Sequence, residues 1–328
     1  MNPSKRVFVV GATGTIGRAT VQALIAQGHD VVCFIRDRAE KKTSSQAEVI
    51  FEGASIRYGD IRDSHSISEQ GFKNEKFDVV ISCLASRSGA PKDAWAIDHQ
   101  AHIHVLEAAK CAGVVHFILL SAICVQKPLL AFQHAKLAFE KALIASGLTY
   151  SIVRPTAFFK SLSGQIGRVK KGKPFLLFGD GRLTSCKPIS DADLAEFIAA
   201  CIHDQLRHNC ILPIGGPGPA ITPLEQGEKL FALLGKEGRF KHVPLAVLDV
   251  IIFVLSGLGR FIPVLADKAE LARIGRYYAT ESMLVWDAEK SVYDAAATPS
   301  AGKQTLFDYY AEVITGAQEP ERGDHAVF

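Results

Sequence analysis

A glycine triplet constrains this chain more than any other feature. Gly11-Ala-Thr-Gly14-Thr-Ile-Gly17 follows a short apolar run at 7–10 and opens a segment, 16–27, in which Ile16, Ala19, Ala23 and Leu24 recur on one helical face. Strand, tight turn and helix in that order make a dinucleotide cradle. Gly11 forms the turn, Gly14 admits a pyrophosphate to the backbone, and Gly17 lets helix pack on strand. Thr13, Thr15 and Ile16 complete the loop as cofactor-binding candidates.

The alternation continues with β-rich runs at 31–35, 55–58, 78–84, 116–121 and 150–153, separated by helical or loop sequence. Helices are expected at 91–112 and 129–146, the second closed by Gly147. This order predicts an α/β protein with a Rossmann-type, doubly wound parallel sheet covered on both faces. After Arg154-Pro155 the pattern loosens, and Gly and Pro concentrate in 172–181 and 213–223, as expected of a smaller C-terminal substrate lobe. The expected division is an NADP-binding domain over 1–156 and a substrate lobe over 157–317. Segments at about 186–216 return to the first domain, and a polar tail covers 318–328. Helices are also expected at 191–202, behind Ser190, and at 223–234, where Thr222 and Glu225 have capping-box spacing.

Charge and cysteine content exclude several function classes. Lys plus Arg number 37 against 34 Asp plus Glu, so the net charge of +3 is too small and dispersed for a nucleic-acid footprint. Seven cysteines, odd in number and without a Cys-x-x-Cys pair, argue against a disulfide framework, a zinc site or an iron–sulfur cluster. No metal is expected, a reducing compartment fits, and the N-terminus reads as neither signal nor transit segment, so a cytoplasmic location is expected. Residues 243–265 are strongly apolar, but Asp249 and Arg260 interrupt them and Pro244, Gly257, Gly259 and Pro263 break them. No transmembrane span is expected there. Residues 248–255 read as a core helix, with peripheral lipid contact as the alternative.

The second β-rich run is followed by Arg36-Asp37-Arg38, where an NAD-specific protein would place a carboxylate for the ribose. Arg36 and Arg38 instead favour the 2′-phosphate of NADPH. Sheet topology puts Asp60 and Ile61 at the adenine, Leu84 and Ala85 beneath the cofactor, and Pro155 and Thr156 at the nicotinamide. Ser86, Ile123, Phe158, Phe159 and Lys160 fall around the substrate, with 248–255 as a further apolar wall.

Short-chain dehydrogenases carry their acid as the Tyr of Tyr-x-x-x-Lys, one turn before a Lys that binds the nicotinamide ribose. Here the segment is Phe132-Gln-His-Ala-Lys136, and none of the seven tyrosines has Lys four residues later. Lys136 is the candidate for holding the ribose and assisting protonation, Ser121 for orienting substrate, and His134 for relaying a proton. Carbonyl reduction and sugar epimerisation, which need the phenol, are disfavoured. A reduction whose acceptor needs no strong acid stays open.

With these residues, the chain closely resembles the NADPH-dependent divinyl chlorophyllide (or protochlorophyllide) 8-vinyl reductases, an atypical short-chain dehydrogenase branch. The likeness runs through Ser-Cys-Leu-Ala-Ser-Arg at 82–87, Leu-Leu-Ser-Ala-Ile-Cys-Val-Gln-Lys-Pro-Leu-Leu at 119–130 and Tyr-Ser-Ile-Val-Arg-Pro-Thr-Ala-Phe-Phe-Lys at 150–160. It continues in Cys-Lys-Pro-Ile-Ser at 186–190, Leu-Pro-Ile-Gly-Gly-Pro-Gly at 212–218 and Ile-Gly-Arg-Tyr-Tyr-Ala-Thr-Glu-Ser-Met at 274–283. The Phe132-x-x-x-Lys136 form agrees with that family, while the missing transit segment departs from its plant members and suggests a bacterial one. The resemblance implies hydride transfer from NADPH to the 8-vinyl group of a divinyl tetrapyrrole in chlorophyll or bacteriochlorophyll synthesis. Two other readings stay open: an NADP-sensing regulator without turnover, and an isoflavone-reductase-like enzyme acting on a smaller aromatic substrate.

Overall fold

The computed structural model describes residues 3–36 and 51–317; Arg38, Asp37 and the tail at 318–328 lie outside them. Seven parallel strands form the main sheet: β1 (Arg6–Val10), β2 (Asp30–Arg36), β3 (Ser55–Gly59), β4 (Val79–Ser82), β5 (His116–Leu120), β6 (Thr149–Pro155) and β8 (Cys210–Ile214). Their order is β3-β2-β1-β4-β5-β6-β8, so the winding reverses between β1 and β4. That crevice, at the carboxyl ends of the strands, is where such sheets bind ligands.

The period-two side-chain pattern explains the two helical layers. Val7 and Val9 of β1 face one way, into a core shared with Val21 and Leu24 of α1 (Thr15–Ala26) and Leu194 and Ile198 of α4 (Asp191–Ala200). Phe8 and Val10 face the other way, against Leu106 of α2 (91–111) and Leu143 of α3 (Ala131–Ile144). Helix α2 is π-helical over Trp95–Ala101. The segment carrying α4 and β8 is thus built into the nucleotide-binding sheet, although it follows the first lobe residues in sequence.

The lobe has its own core, with Phe159, Phe175, Leu230, Phe231, Tyr277 and Tyr310 packed together. It contains the two-stranded pair β7 (Phe175–Phe178) and β9 (Phe240–Val243), and the antiparallel pair β10 (Val285–Asp287) and β11 (Val292–Asp294). Helix α5 (Pro223–Leu233) opens with the reciprocal Thr222–Glu225 capping box, and Ser190 caps α4 by accepting from the Asp193 amide. Each such cap contributes about 1 kcal/mol.

One expectation fails here. Helix α6 (Leu245–Gly259) is not a core helix: none of its residues is buried, and Phe253 is 80% exposed. It packs antiparallel on α7 (Pro263–Thr280), joined by the Asp249–Arg276 ion pair and by the Arg273 guanidinium donating to Ser256 at 2.7 Å. A helix that is apolar nearly all round reads the same in sequence whether it has one neighbour or four, so burial was not legible there. Among the described residues no helix is long and apolar enough to cross a membrane. The last helix, α8 (Leu306–Thr315), closes the lobe.

Candidate active site

The nucleotide end is built as the glycine spacing requires. Gly11 has φ +74°, and a Cβ there would sit 2.5 Å from the carbonyl carbon of Cys83; a Cβ on Gly17 would sit 2.1 Å from the Gly11 oxygen. Gly14 is different: its amide donates to Gly11 O at 3.1 Å, and a Cβ would meet nothing nearer than 3.4 Å. The space beside it is left for a ligand. No side chain caps the N-terminus of α1 and its first turn holds no acid, so its amides and positive dipole end suit a pyrophosphate.

Lys160 changes its expected place. Its ammonium donates to Thr15 Oγ1 at 2.6 Å, which brings a cation to the phosphate end of α1 and away from the expected substrate wall. Arg36 ends β2 and is exposed, paired in register with Gly59. The Asp60 carboxylate, beside Ile61, is held below its ordinary range by hydrogen bonds from Arg62, with a smaller contribution from the Arg36 charge.

A cavity of about 450 Å³ opens beyond β4, β5 and β6, within the usual range for small-molecule sites. Leu84, Ala85 and Ser86 line it from the β4 end, Ser121 and Ile123 from β5, and Pro155, Thr156 and Phe158 from β6. Lys136 reaches in from α3, its Nζ 2.9 Å from Oδ1 of Asp98 on the π-helical turn of α2. Both side chains are nearly excluded from solvent, and Asp98 Oδ2 has no hydrogen-bond partner. Phe132 lines the cavity where the usual phenol would stand.

Buried partners tie down this wall. The Ser121 hydroxyl donates to Glu140 Oε1 at 2.5 Å, and Arg154 holds the same carboxylate, so the serine's proton is committed and its oxygen can only accept. Behind Asp98, His102 donates from Nδ1 to the Ile97 carbonyl at 2.9 Å and accepts from Ser82 at 2.8 Å through Nε2. Burial pushes its pKa down to about 4, with the Lys136 charge adding to the effect.

Three expectations about the site are corrected. His134 is exposed and absent from the cavity lining, because the buried face of α3 carries Gln133, Lys136 and Glu140. Phe159 is 3% exposed and packs beside Tyr309 in the lobe core. The far wall comes from α7, through Leu271, Ile274 and Tyr278, and not from 248–255.

Comparison with known proteins now bears on this geometry. An NAD(P)H-binding family model matches residues 11–205. The divinyl chlorophyllide a 8-vinyl-reductase of Zea mays is 48% identical over 98% of this chain and 82% of its own length. That of Cucumis sativus is 49% identical over 98% and 79%. The chain belongs to the divinyl chlorophyllide a 8-vinyl-reductase family. Among solved structures, the leucoanthocyanidin reductase–NADPH complex from Vitis vinifera superposes with a TM-score of 0.69 at 17% identity, covering 94% of this chain and 99% of that one. At that identity the likeness concerns the fold alone, and NAD(P)H binding rests on the family match.

Within this 8-vinyl-reductase framework, sequence reading missed Asp98, Glu140 and Tyr278. Glu140 carried a signal, one helical turn after Lys136 on the same face. Asp98 lies 38 positions before its partner, and Tyr278 reaches the cavity from a different lobe, so only the folded chain brings them in.

Proposed function

We propose that this protein reduces the 8-vinyl group of divinyl chlorophyllide, or of divinyl protochlorophyllide, to ethyl with NADPH as reductant. The observation that carries this reading is the 48–49% identity over 98% of the chain to proteins named for that reaction. When bound, NADPH supplies the hydride. The chain's own residues then have separable tasks: the Gly11–Gly14–Gly17 turn and Lys160 take the pyrophosphate, while Arg36 and Arg38 take the 2′-phosphate. Lys136 holds the nicotinamide ribose. Asp98 fixes Lys136 by the 2.9 Å ion pair. The apolar walls, with Phe158 on one side and Ile274 on the other, exclude water around a flat macrocycle. Purified protein incubated with NADPH and divinyl chlorophyllide, followed by chromatographic separation of the pigments, tests the reading. A monovinyl product is expected, and its absence under conditions where NADPH binds refutes it.

We infer further that the α6–α7 hairpin makes a peripheral lipid contact. Phe253 and Phe261 are 80% and 86% exposed, and exposed Arg260 stands beside the second. Fifteen residues rise about 22 Å, short of the roughly 30 Å hydrocarbon core, so α6 would lie on a bilayer and not cross it. Because α7 lines the cavity, the contact would hold the pigment site at the surface where an apolar substrate partitions. Flotation with anionic phospholipid vesicles is expected for the wild type and not for Phe253→Ser/Phe261→Ser. Equal flotation of both would remove the hairpin from this role.

A further inference from the structure

The Phe132-x-x-x-Lys136 segment leaves the reaction without its customary phenol, yet the cavity contains one. Tyr278 reaches it from α7, in the Ile-Gly-Arg-Tyr-Tyr-Ala segment at 274–279. Its hydroxyl contacts Cys124 Sγ at 4.0 Å, in the short 3-10 turn Ile123–Gln126 that continues β5 into the cavity. Lys136 and Cys124 line the same cavity, and the Lys136 charge reaches the Cys124 thiol.

The neighbouring groups make poorer donors. Ser121 gives its proton to Glu140. His134 faces solvent. The adjacent Tyr277 is 3% exposed and donates to the carbonyl oxygens of Cys124 and Lys127 at 2.9 and 3.1 Å, so it ties α7 to the sheet wall. The Lys136 ammonium is engaged by Asp98. Tyr278, by contrast, faces only a thiol sulfur among the described residues, a weak acceptor at long distance, and its proton is available to a stronger base. The residue is 42% exposed while its hydroxyl meets the buried Cys124, so water can approach from the mouth of the cavity. A phenol is protonated at neutral pH in any case, and burial raises Tyr278 further, so its proton passes only to a strong base.

We propose that Tyr278 is the proton donor of the reduction, supplied by the second lobe in place of the phenol missing at 132. This rests on the reaction proposed above. In that reaction the vinyl π bond breaks and the two-electron hydride from NADPH forms one new C–H bond at the outer carbon. The electron pair passes to the inner carbon and is delocalised over the macrocycle. The phenol O–H then breaks as its proton forms the second C–H bond, and the tyrosinate regains a proton from water, leaving NADP⁺ and the ethyl product.

The test is Tyr278→Phe, which keeps the ring and removes only the hydroxyl, with Tyr277→Phe beside it. Pigment turnover, NADPH affinity by fluorescence titration, pigment affinity and thermal midpoint are measured for each. The expected result for Tyr278→Phe is a kcat loss of about 10²–10⁴-fold, the usual range for removal of a general acid. Both affinities and the midpoint should stay near wild type. Tyr277→Phe should lower the midpoint and keep most of kcat. A Tyr278→Phe protein that keeps kcat within about three-fold overturns the assignment, as does one that loses rate only in step with pigment affinity. Absence of a monovinyl product from the wild type would count against the reaction itself.

Discussion

On the sheet side of the cavity the polar groups are tied to buried partners, Lys136 to Asp98, Ser121 to Glu140 and His102 to Ser82 and Ile97, whereas the hairpin side offers apolar side chains and a phenol. Behind the first wall lie the two helical layers of the sheet; behind the second lies α6, none of whose residues is buried. Residues 7–10 and 248–255 differ little in apolar character, yet Val7 to Val10 are wholly buried and Phe253 is 80% exposed. The difference comes from neighbours: β1 sits between helices on both faces, and among the described residues α6 packs chiefly on α7. Apolar sequence therefore marks a surface that avoids water, without saying whether protein, pigment or lipid covers it.

The largest expected effect breaks or confirms this contrast directly. Ile118, fully buried at the centre of β5, should cost about 2–5 kcal/mol when replaced by Ala. Phe253→Ala, on the outer face of α6, should change stability by less than about 0.5 kcal/mol although it removes more apolar surface. Urea denaturation of both variants measures this. Similar losses would mean that α6 is covered in the folded protein after all.

Acid should attack the sheet side first. His102 and His116 are driven down to about 4 and about 3, by burial foremost, with the Lys136 charge adding at His102 and that of His208 at His116. Since folding lowers both from 6.5, the unfolded chain takes up the protons first. Their stabilisation is complete above about pH 6.5 and is lost as pH falls toward those folded values. For His102 the whole window amounts to roughly 3 kcal/mol. Denaturation midpoints measured from pH 7 to 4.5 should fall steadily, and less steeply in His102→Gln. A flat wild-type profile would contradict the buried neutral imidazoles.

Lys136→Met should reduce turnover by about 10²-fold, as expected for a group that holds the cofactor in its reacting position. It also strands the Asp98 carboxylate in the interior, which is destabilising in itself. The double variant Lys136→Met/Asp98→Asn separates the two effects: stability should recover and turnover should not. If turnover recovers with stability, Lys136 serves the fold alone.

The sheet was legible because its signals are local. Gly17 is required by a contact within the turn and Gly11 by its positive φ there, and Thr222–Glu225 and Ser190 cap helices three residues away. The expected β-rich runs became strands, and the C-terminal helix signals at 191 and 223 fell within a residue of the observed starts. The cavity was only partly legible. Positions at strand ends, such as Leu84, Ile123 and Phe158, follow from topology, but Phe159 and Lys160 were assigned to the wall by adjacency, and one extra residue along a chain turns a side chain into another environment. Asp98 and Tyr278 depend on contacts between distant elements.

The smallest effect sharpens the comparison at its nucleotide end. Arg36 stands exposed at the carboxyl end of β2, near Asp60, whose carboxylate is already satisfied by Arg62. That arrangement frees Arg36 for an anion and lessens the carboxylate's repulsion of it. A charge-assisted hydrogen bond is worth about 1.5–3 kcal/mol, so Arg36→Ala should weaken NADPH binding by about ten-fold or more. NADH, which lacks the 2′-phosphate, should bind as before, and pigment affinity should not move because Arg36 is absent from the cavity lining. Fluorescence titration with both nucleotides measures this. Equal weakening of the two would assign Arg36 to the fold of the β2 end and leave the 2′-phosphate without its proposed partner there.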